Sequence, residues 1–391
     1  MTDLSTRAAI RVIDTDTHVT EPPDLWTSRV PRRFVEDAPH VARHPGTGHS
    51  HWRIGDHWLM AVGFYAVAGW KDPPPSTPAE LDEVDPGAWK AADRLRRMDE
   101  YGVHAHVLYP NLIGFEAPHF MRLGPELSLA CTRAYNDFIT EFASADPSRL
   151  VPITMLPFWD LEASVAEMRR CRDMGHRGVL FANRYEMIGL PSFTDRHWDP
   201  VYAEAQDLDL SVNFHVGFSS SMDGAASSLT ALLEHFDPAV ATRATSIGVM
   251  SNADSIAAIV TSGLCERFPR LRFVSVESGF GYIPYLLESL DWHWKGYGGA
   301  RAGSLLPSEY FRRQCYGCFW FERGTLPLLE TYPDNFMFET DYPHPASISP
   351  GPASPAELPR DHIESAFAGI SAEITRKVLH DNAAAVYHLD A

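Results

Sequence analysis

From Val151 to His215 the chain reads VPITML (151–156), LEASVAEMRRCRDM (161–174), GVLFA (178–182), WDPVYAEAQD (198–207) and LSVNFH (210–215). The three short runs are nearly continuous in apolar residues, as strands covered on both faces are. The two longer stretches space their apolar residues at helical intervals. Strand, helix, strand, helix, strand in this order describes βα units laid on a parallel sheet. The same alternation continues outward. RVIDTD (Arg11–Asp16) and VHAHVLY (Val103–Tyr109) precede it, and LRFVSVE (Leu271–Glu277), QCYGCFWF (Gln314–Phe321) and NFMFETD (Asn335–Asp341) follow. Further helical patterns cover Ala91–Tyr101, Gly124–Ser144, Ser251–Arg267, Ile283–Trp294 and Gly324–Tyr332. Eight strands separated by helices predict a closed α/β (β/α)8 TIM barrel rather than an open sheet.

One barrel domain is expected over residues 1–391, with residues 27–90 as an insertion or arm after the first strand. Residues 345–360 (PASISPGPASPAELPR) are rich in proline, serine and glycine and read as a surface loop. Ile370–Leu389 reads as a closing helix or helix pair. Hydrophobic residues make up 45% and charged residues 21%, which are globular proportions. A net charge of −18 argues against a partner held by a basic field, so neither nucleic acid nor an anionic membrane is expected. There is no long apolar run of membrane-spanning length, and the N-terminus lacks the apolar core of a signal peptide. The five cysteines are odd in number and thinly spread, which predicts free thiols and a cytoplasmic location. Cys315-Tyr-Gly-Cys318 matches C-x-x-C but lies within a predicted strand, where packing explains it better than redox or zinc chemistry.

A barrel of this kind places its chemistry at the carboxyl ends of its strands. The first strand runs into Asp16-Thr17-His18, whose outer members face the same way in an extended chain. The fifth ends in His215, and the eighth in Glu339-Thr340-Asp341-Tyr342-Pro343-His344. Each alone has an ordinary reading, as a cap or as a core histidine bonded to backbone. Together Asp16, His18, His215 and Asp341 supply two imidazoles and two carboxylates at one barrel mouth. That donor set suits one divalent ion, Zn or Mn, with positions left for water or substrate.

Several segments resemble the amidohydrolase superfamily in its amidohydrolase-2 branch. They are VIDTDTHVTEPPDLW, RLRRMDEYGVHAHVLYP, RHWDPVYAEAQDLDLSVNFHVG, VSVESGFGYIPYLLE, FETDYPH and DNAAAVYHL, in the family's order along nearly the whole chain. That branch includes aromatic-acid and aminocarboxymuconate-semialdehyde decarboxylases beside metal-dependent hydrolases. The resemblance implies a barrel with one divalent metal. It makes His18 and His215 ligands, and Asp341 the eighth-strand aspartate. The family's first motif is H-x-H or E-x-H, so Asp16 stands where a longer carboxylate or a histidine usually does. At the sixth strand, where many members carry a histidine, this chain has Glu277 and Ser278. Two-metal members use a carboxylated lysine after strand four. The four lysines here, Lys71, Lys90, Lys295 and Lys377, all lie away from Ala182-Asn183-Arg184, which favours a single ion.

The expected activity is non-oxidative decarboxylation of a small, aromatic acid. The alternatives are hydrolysis of an amide, ester or lactone by metal-activated water, and a non-catalytic ligand-binding barrel. Asp341, His215, Glu277 and His344 are the catalytic candidates; Arg184, Phe319 and Trp320 are the substrate-binding candidates. His104, His106 and Arg323 are weaker pocket candidates. The aromatics Trp52, Trp58, Phe64, Tyr65, Trp70 and Phe321 either line a pocket for a planar molecule or form core. A homodimer is expected, with the apolar run Leu59–Ala68 of the arm at its contact or else packed on its own barrel.

Overall fold

We describe residues 10–217, 236–299 and 305–390 of a computed structural model of the chain. The first strand, β1 (Ile13–Val19), buries all seven residues, including Asp14, Asp16 and His18. After it come the arm strands β2 (His40–Arg43), β3 (Ser50–Ile54) and β4 (His57–Ala61). Then follow β5 (Ala105–Pro110), β6 (Leu150–Met155), β7 (Gly178–Ala182) and β8 (Ser211–His215). The last are β9 (Phe273–Val276), β10 (Cys315–Phe319) and β11 (Phe336–Phe338). β1 and β5–β11 close into a barrel in the order β1-β11-β10-β9-β8-β7-β6-β5. Neighbouring strands are parallel throughout. All eight predicted strands are present, and the closed barrel is the predicted one.

The helical expectations hold with local changes, except that Gly324–Tyr332 forms only a short 3-10 turn over Leu326–Glu330. Ala91–Tyr101 and Pro125–Ala143 form as read. The stretch Ser251–Arg267 is broken into Asn252–Thr261 and Leu264–Arg267 at Gly263, whose φ of +79° ends a helix at low cost. Near the C-terminus Ala372–Arg376 and Asn382–Tyr387 are joined by a π turn. Tyr387 donates to Asn213 Oδ1 at 2.8 Å, and Tyr109 donates to the same oxygen at 3.1 Å. β5 and β8 are not neighbours, so this contact crosses the lumen and closes it beneath the site.

Within the arm, β2-β3-β4 form an antiparallel sheet. The run Leu59–Ala68 is not presented to solvent: Leu59, Val62, Ala66 and Ala68 are buried in one core cluster with the barrel, and Phe64 is buried as well. Of the two readings of this run, packing on its own barrel is the one realised. The backbone N–H groups of Val67 and Ala68 donate to Pro343 O at 3.0 and 3.1 Å, which ties the arm to the loop after β11. No helix among the described residues is long and apolar enough to cross a membrane.

All five cysteines are free and buried. Burial pushes the thiols of Cys131, Cys171, Cys315 and Cys318 well above the usual range. We expect Ellman's reagent at pH 8 to label none of the five in the native protein and all of them in urea, since only an exposed thiolate reacts. A thiol that reacts in the native state contradicts this packing.

Candidate active site at the carboxyl ends of the barrel strands

The pairing register of β1 shifts between Asp14 and Thr17, a bulge that re-aims side chains where the strand reaches the barrel mouth. The segment after β11 pairs back onto it. Asp341 N donates to Asp16 O at 3.0 Å, and His18 N to Tyr342 O at 2.7 Å. Asp14 fastens the same seam from below, accepting from the backbone and hydroxyl of Thr340. These bonds bring the ends of the first and eighth barrel strands together, and β8 delivers His215 from across the mouth.

The result is a compact polar cluster. Nε2 of His18 and Nε2 of His215 are 3.2 Å apart. Asp16 Oδ1 lies 3.4 Å from the first and 3.5 Å from the second. Asp341 Oδ1 lies 3.6 Å from His18 Nε2. Each imidazole spends its Nδ1–H on a carbonyl, His18 on Pro110 (2.9 Å) and His215 on Val216 (2.7 Å). That fixes the tautomer, so both Nε2 lone pairs converge on one point. Both oxygens of Asp16 and of Asp341 are buried without a hydrogen bond. Buried carboxylates do not stay unsatisfied unless something else meets them.

A divalent cation at this point would meet Asp16, His18 and His215 together, with Asp341 at its side, 3.6 Å from His18. Ligands held at about 2.1 Å from one ion stand about 3.0–3.4 Å apart, close to the separations here. The residues present therefore fit the metal that the donor types imply: Asp16, His18 and His215 as one face, with Asp341 beside them. Those first three, and separately His18, Asp341 and His344, each gather three donor atoms within 4.8 Å.

The charges follow from burial and proximity. Burial works against an ionised Asp16, yet the His215 and His18 imidazoles hold it below the usual carboxylate range. Burial likewise opposes a charged His215, but Asp16 beside it raises its pKa to about 9, so a proton on Nε2 occupies the place that a cation bound there would take from it. Asp341 is pushed well above the carboxylate range by burial and by Glu277, Asp16 and Glu339 around it. His344 is held well below the usual imidazole range by burial and by His18, on whose ring it stacks at 3.7 Å. Its Nε2–H donates to Asn111 Oδ1 (2.7 Å), which leaves Nδ1 facing Asp341 Oδ1 at 2.8 Å.

Glu277 rather than Ser278 takes the sixth-strand place. Its carboxylate lies 3.6 Å from His215 Nδ1 and lines the cavity, and burial pushes it up to about 8. Ser278 turns away to bond Ser275 at 2.6 Å. Glu277 and Asp341 have φ of +53° and +60°. A left-handed backbone costs a non-glycine residue on the order of 1 kcal/mol, so the surrounding bonds impose it. Gly279 completes the turn at φ +64°, where a Cβ would meet the Glu322 carboxylate at 2.5 Å.

A cavity of about 930 Å³ opens above the cluster, with Asp341, His344 and Glu277 in its wall. The arm supplies Tyr65, whose ring stacks on Phe115 at 5.4 Å and stands 5.7 Å from His344. Arg184 is on the cavity wall, half exposed and 3.9 Å from Glu186. Phe319 and Trp320 are not substrate contacts, contrary to expectation: both are buried outside the cavity wall. Cys318 touches Thr15 across the non-adjacent strands β10 and β1, so it faces the lumen. By alternation Phe319 faces outward, stacking on His362 and meeting Phe367. Trp320 leads away from the strand, its N–H on Glu322 and its carbonyl on His362. His106 also lies off the cavity, buried between Arg94 and Asp14. Arg323 makes surface contacts with Ser365 and Glu357.

Sequence reasoning missed Asp14, Asn111 and Arg94. Asn111 had a usable signal, since it follows directly on the end of β5. Arg94 had none. Its guanidinium is fully buried and reaches His18 O, Gly87 O and Thr17 Oγ1 while lying 4.7 Å over the Tyr342 ring.

Comparison with known proteins agrees with this architecture. The amidohydrolase family pattern matches residues 13–389. A gamma-resorcylate decarboxylase from Rhizobium sp. is 25% identical over 261 residues, covering 64% of this chain and 76% of that one. The solved structure of an amidohydrolase from Mycobacterium avium subsp. paratuberculosis K-10 superposes with a TM-score of 0.73 at 21% identity, over 97% of this chain and 99% of the other. A dihydroxybenzoic acid decarboxylase from Polaromonas sp. JS666, solved with bound manganese and the inhibitor 2-nitroresorcinol, gives 0.61 at 18% identity, over 97% of each chain. With the family pattern spanning the barrel from β1 to the closing helix, the chain belongs to the amidohydrolase family and is an enzyme of its metal-dependent decarboxylase or hydrolase kind.

Proposed function

We propose that the enzyme decarboxylates an aromatic carboxylic acid without oxidation, using one divalent ion, Mn or Zn. The observation that carries this reading is Asp341: a buried carboxyl, raised in pKa, unbonded at both oxygens and facing the cavity beside the ligand cluster. Asp16, His18 and His215 would hold the ion with Asp341 at its edge. When bound, the ion would supply a Lewis-acidic positive centre that draws the anionic substrate to the cluster. Asp341 then gives its proton to the ring carbon that bears the carboxylate. The bond from that carbon to the carboxylate breaks, its electron pair returns to the ring, and CO₂ leaves. His344 Nδ1 faces Asp341 Oδ1 and orients it, while Asn111 fixes the His344 tautomer. Tyr65 and Phe115 give the ring an aromatic wall to lie against. The 25%-identical relative named as a decarboxylase supports this choice over hydrolysis. Homodimerisation and a cytoplasmic location belong to the same reading, and sedimentation at micromolar concentration tests the first.

The manganese-loaded enzyme is expected to release CO₂ from 2,6-dihydroxybenzoate, read by loss of the acid's absorbance and by headspace CO₂. Asp341→Asn should lower kcat by about 10²–10⁴-fold, the usual worth of a positioned proton donor. Hydrolysis of lactones or amides with no CO₂ from any hydroxybenzoate would overturn the reading.

A further inference from the structure

We infer that the cavity continues beyond the reacting ring into an outer chamber that takes an uncharged, largely apolar substituent of the substrate; this rests on the decarboxylase reading above. The volume of about 930 Å³ sits at the upper end of the roughly 300–1,000 Å³ that drug-sized ligands occupy. A single-ring acid held at the metal cluster fills only part of it. The inner end is walled by Asp341, His344 and Tyr65. The same cavity runs on to Trp70, Pro74 and Pro355.

Two segments build the outer wall, the arm and the loop after β11. Besides the bonds from Val67 and Ala68 to Pro343, Gly351 packs on Gly69 so closely that a Cβ at 351 would stand 2.8 Å from Gly69 Cα. The indole N–H of Trp70 is spent on Ser76 Oγ at 3.1 Å, so the ring meets a ligand as apolar surface. Among the described residues of the wall the charged side chains are Asp72, Arg184, Glu277 and Asp341. Arg184 stands within 3.9 Å of Glu186. With burial holding Glu277 and Asp341 toward their neutral forms, Asp72 and Arg184 are left as opposite charges, so the wall offers no net positive charge to hold a second carboxylate. Its occupant is an alkyl or aryl extension of a monocarboxylic aromatic acid.

The test is a ligand pair that differs only in the extension. Calorimetric titration of the manganese-loaded protein with 2-nitroresorcinol and with 5-pentyl-2-nitroresorcinol reads the chamber without turnover. Buried methylenes add to affinity, so the pentyl compound should bind at least about 10-fold more tightly. In Trp70→Ala that ratio should fall by about threefold or more. Equal or weaker binding of the pentyl compound to the wild type overturns the proposal. Turnover separates the two readings. If 2,6-dihydroxybenzoate loses CO₂ but its 4-pentyl derivative gains nothing in kcat/KM or in binding, the chamber is wrong and the reaction stands. If the affinity ratio holds while neither acid loses CO₂, the reaction is wrong and the chamber stands.

Discussion

His215→Ala protein, purified without chelator, should carry less than about a tenth of the single equivalent of divalent metal expected in the wild type. The variant removes one of the two Nε2 lone pairs that converge at 3.2 Å, and it strips Asp16 of the imidazole 3.5 Å away. What remains is a site with fewer donors and more negative charge around it. The measurement is metal content per chain by mass spectrometry, and activity should disappear with the metal. His344→Ala makes the control decisive, because His18 belongs to two overlapping donor groups. If the ion sits on Asp16, His18 and His215, His344→Ala keeps its metal while losing the orientation of Asp341. Metal retained in His215→Ala and lost in His344→Ala would move the ion to the His18, Asp341 and His344 side. Metal in neither variant nor wild type, even after adding Mn or Zn, would sink the metal-dependent mechanism.

The second large effect concerns a residue that never meets the substrate. Arg94→Met should destabilise the fold by roughly 3 kcal/mol or more, since each buried acceptor left unpaired costs about 1–3 kcal/mol. The reason is what the guanidinium leaves behind. His18 O, Gly87 O and Thr17 Oγ1 all take hydrogen bonds from it inside the protein. Methionine fills much of the space but donates nothing, so those acceptors lose a bond without gaining water. A fall in the urea midpoint at unchanged slope reads the loss. Because Arg94 holds the carbonyl of His18 and lies over the ring of Tyr342, the residue after Asp341, Arg94→Met should also weaken manganese affinity. Arg94→Lys should recover part of the stability but less of the affinity, since an ammonium cannot reproduce the forked geometry. Unchanged metal affinity in a folded Arg94→Met protein would reduce Arg94 to a packing role.

Parallel barrel strands lie between two covered faces, and so they are written as continuous apolar runs that need no partner to be seen. GVLFA over residues 178–182 forms β7 within those bounds. The chemistry at the strand ends was legible for the same reason. Asp16, His18, His215 and Asp341 interrupt or terminate apolar runs where a polar group must be satisfied, and a barrel collects strand ends at one mouth. The side-chain direction of Phe319 was not legible. It depends on the register of β10 against β9 and β11, and one step of register turns a lumen residue into an outer one. The choice between Glu277 and Ser278 likewise rests on a left-handed backbone that is held by hydrogen bonds from Glu277 N to the Glu339 carboxylate and from Phe280 N to the Glu322 carboxylate.

The amino-acid order by itself determined the barrel, the donor set at its mouth and the family, because strand burial and strand ends are local properties of the chain. Only the tertiary structure decided that Arg94, in the highly charged run RLRR, turns inward to hold the backbone of His18. It alone decided that the arm folds back over the mouth to wall the cavity. Both depend on which distant segments come to face each other, and no local spacing carries that information.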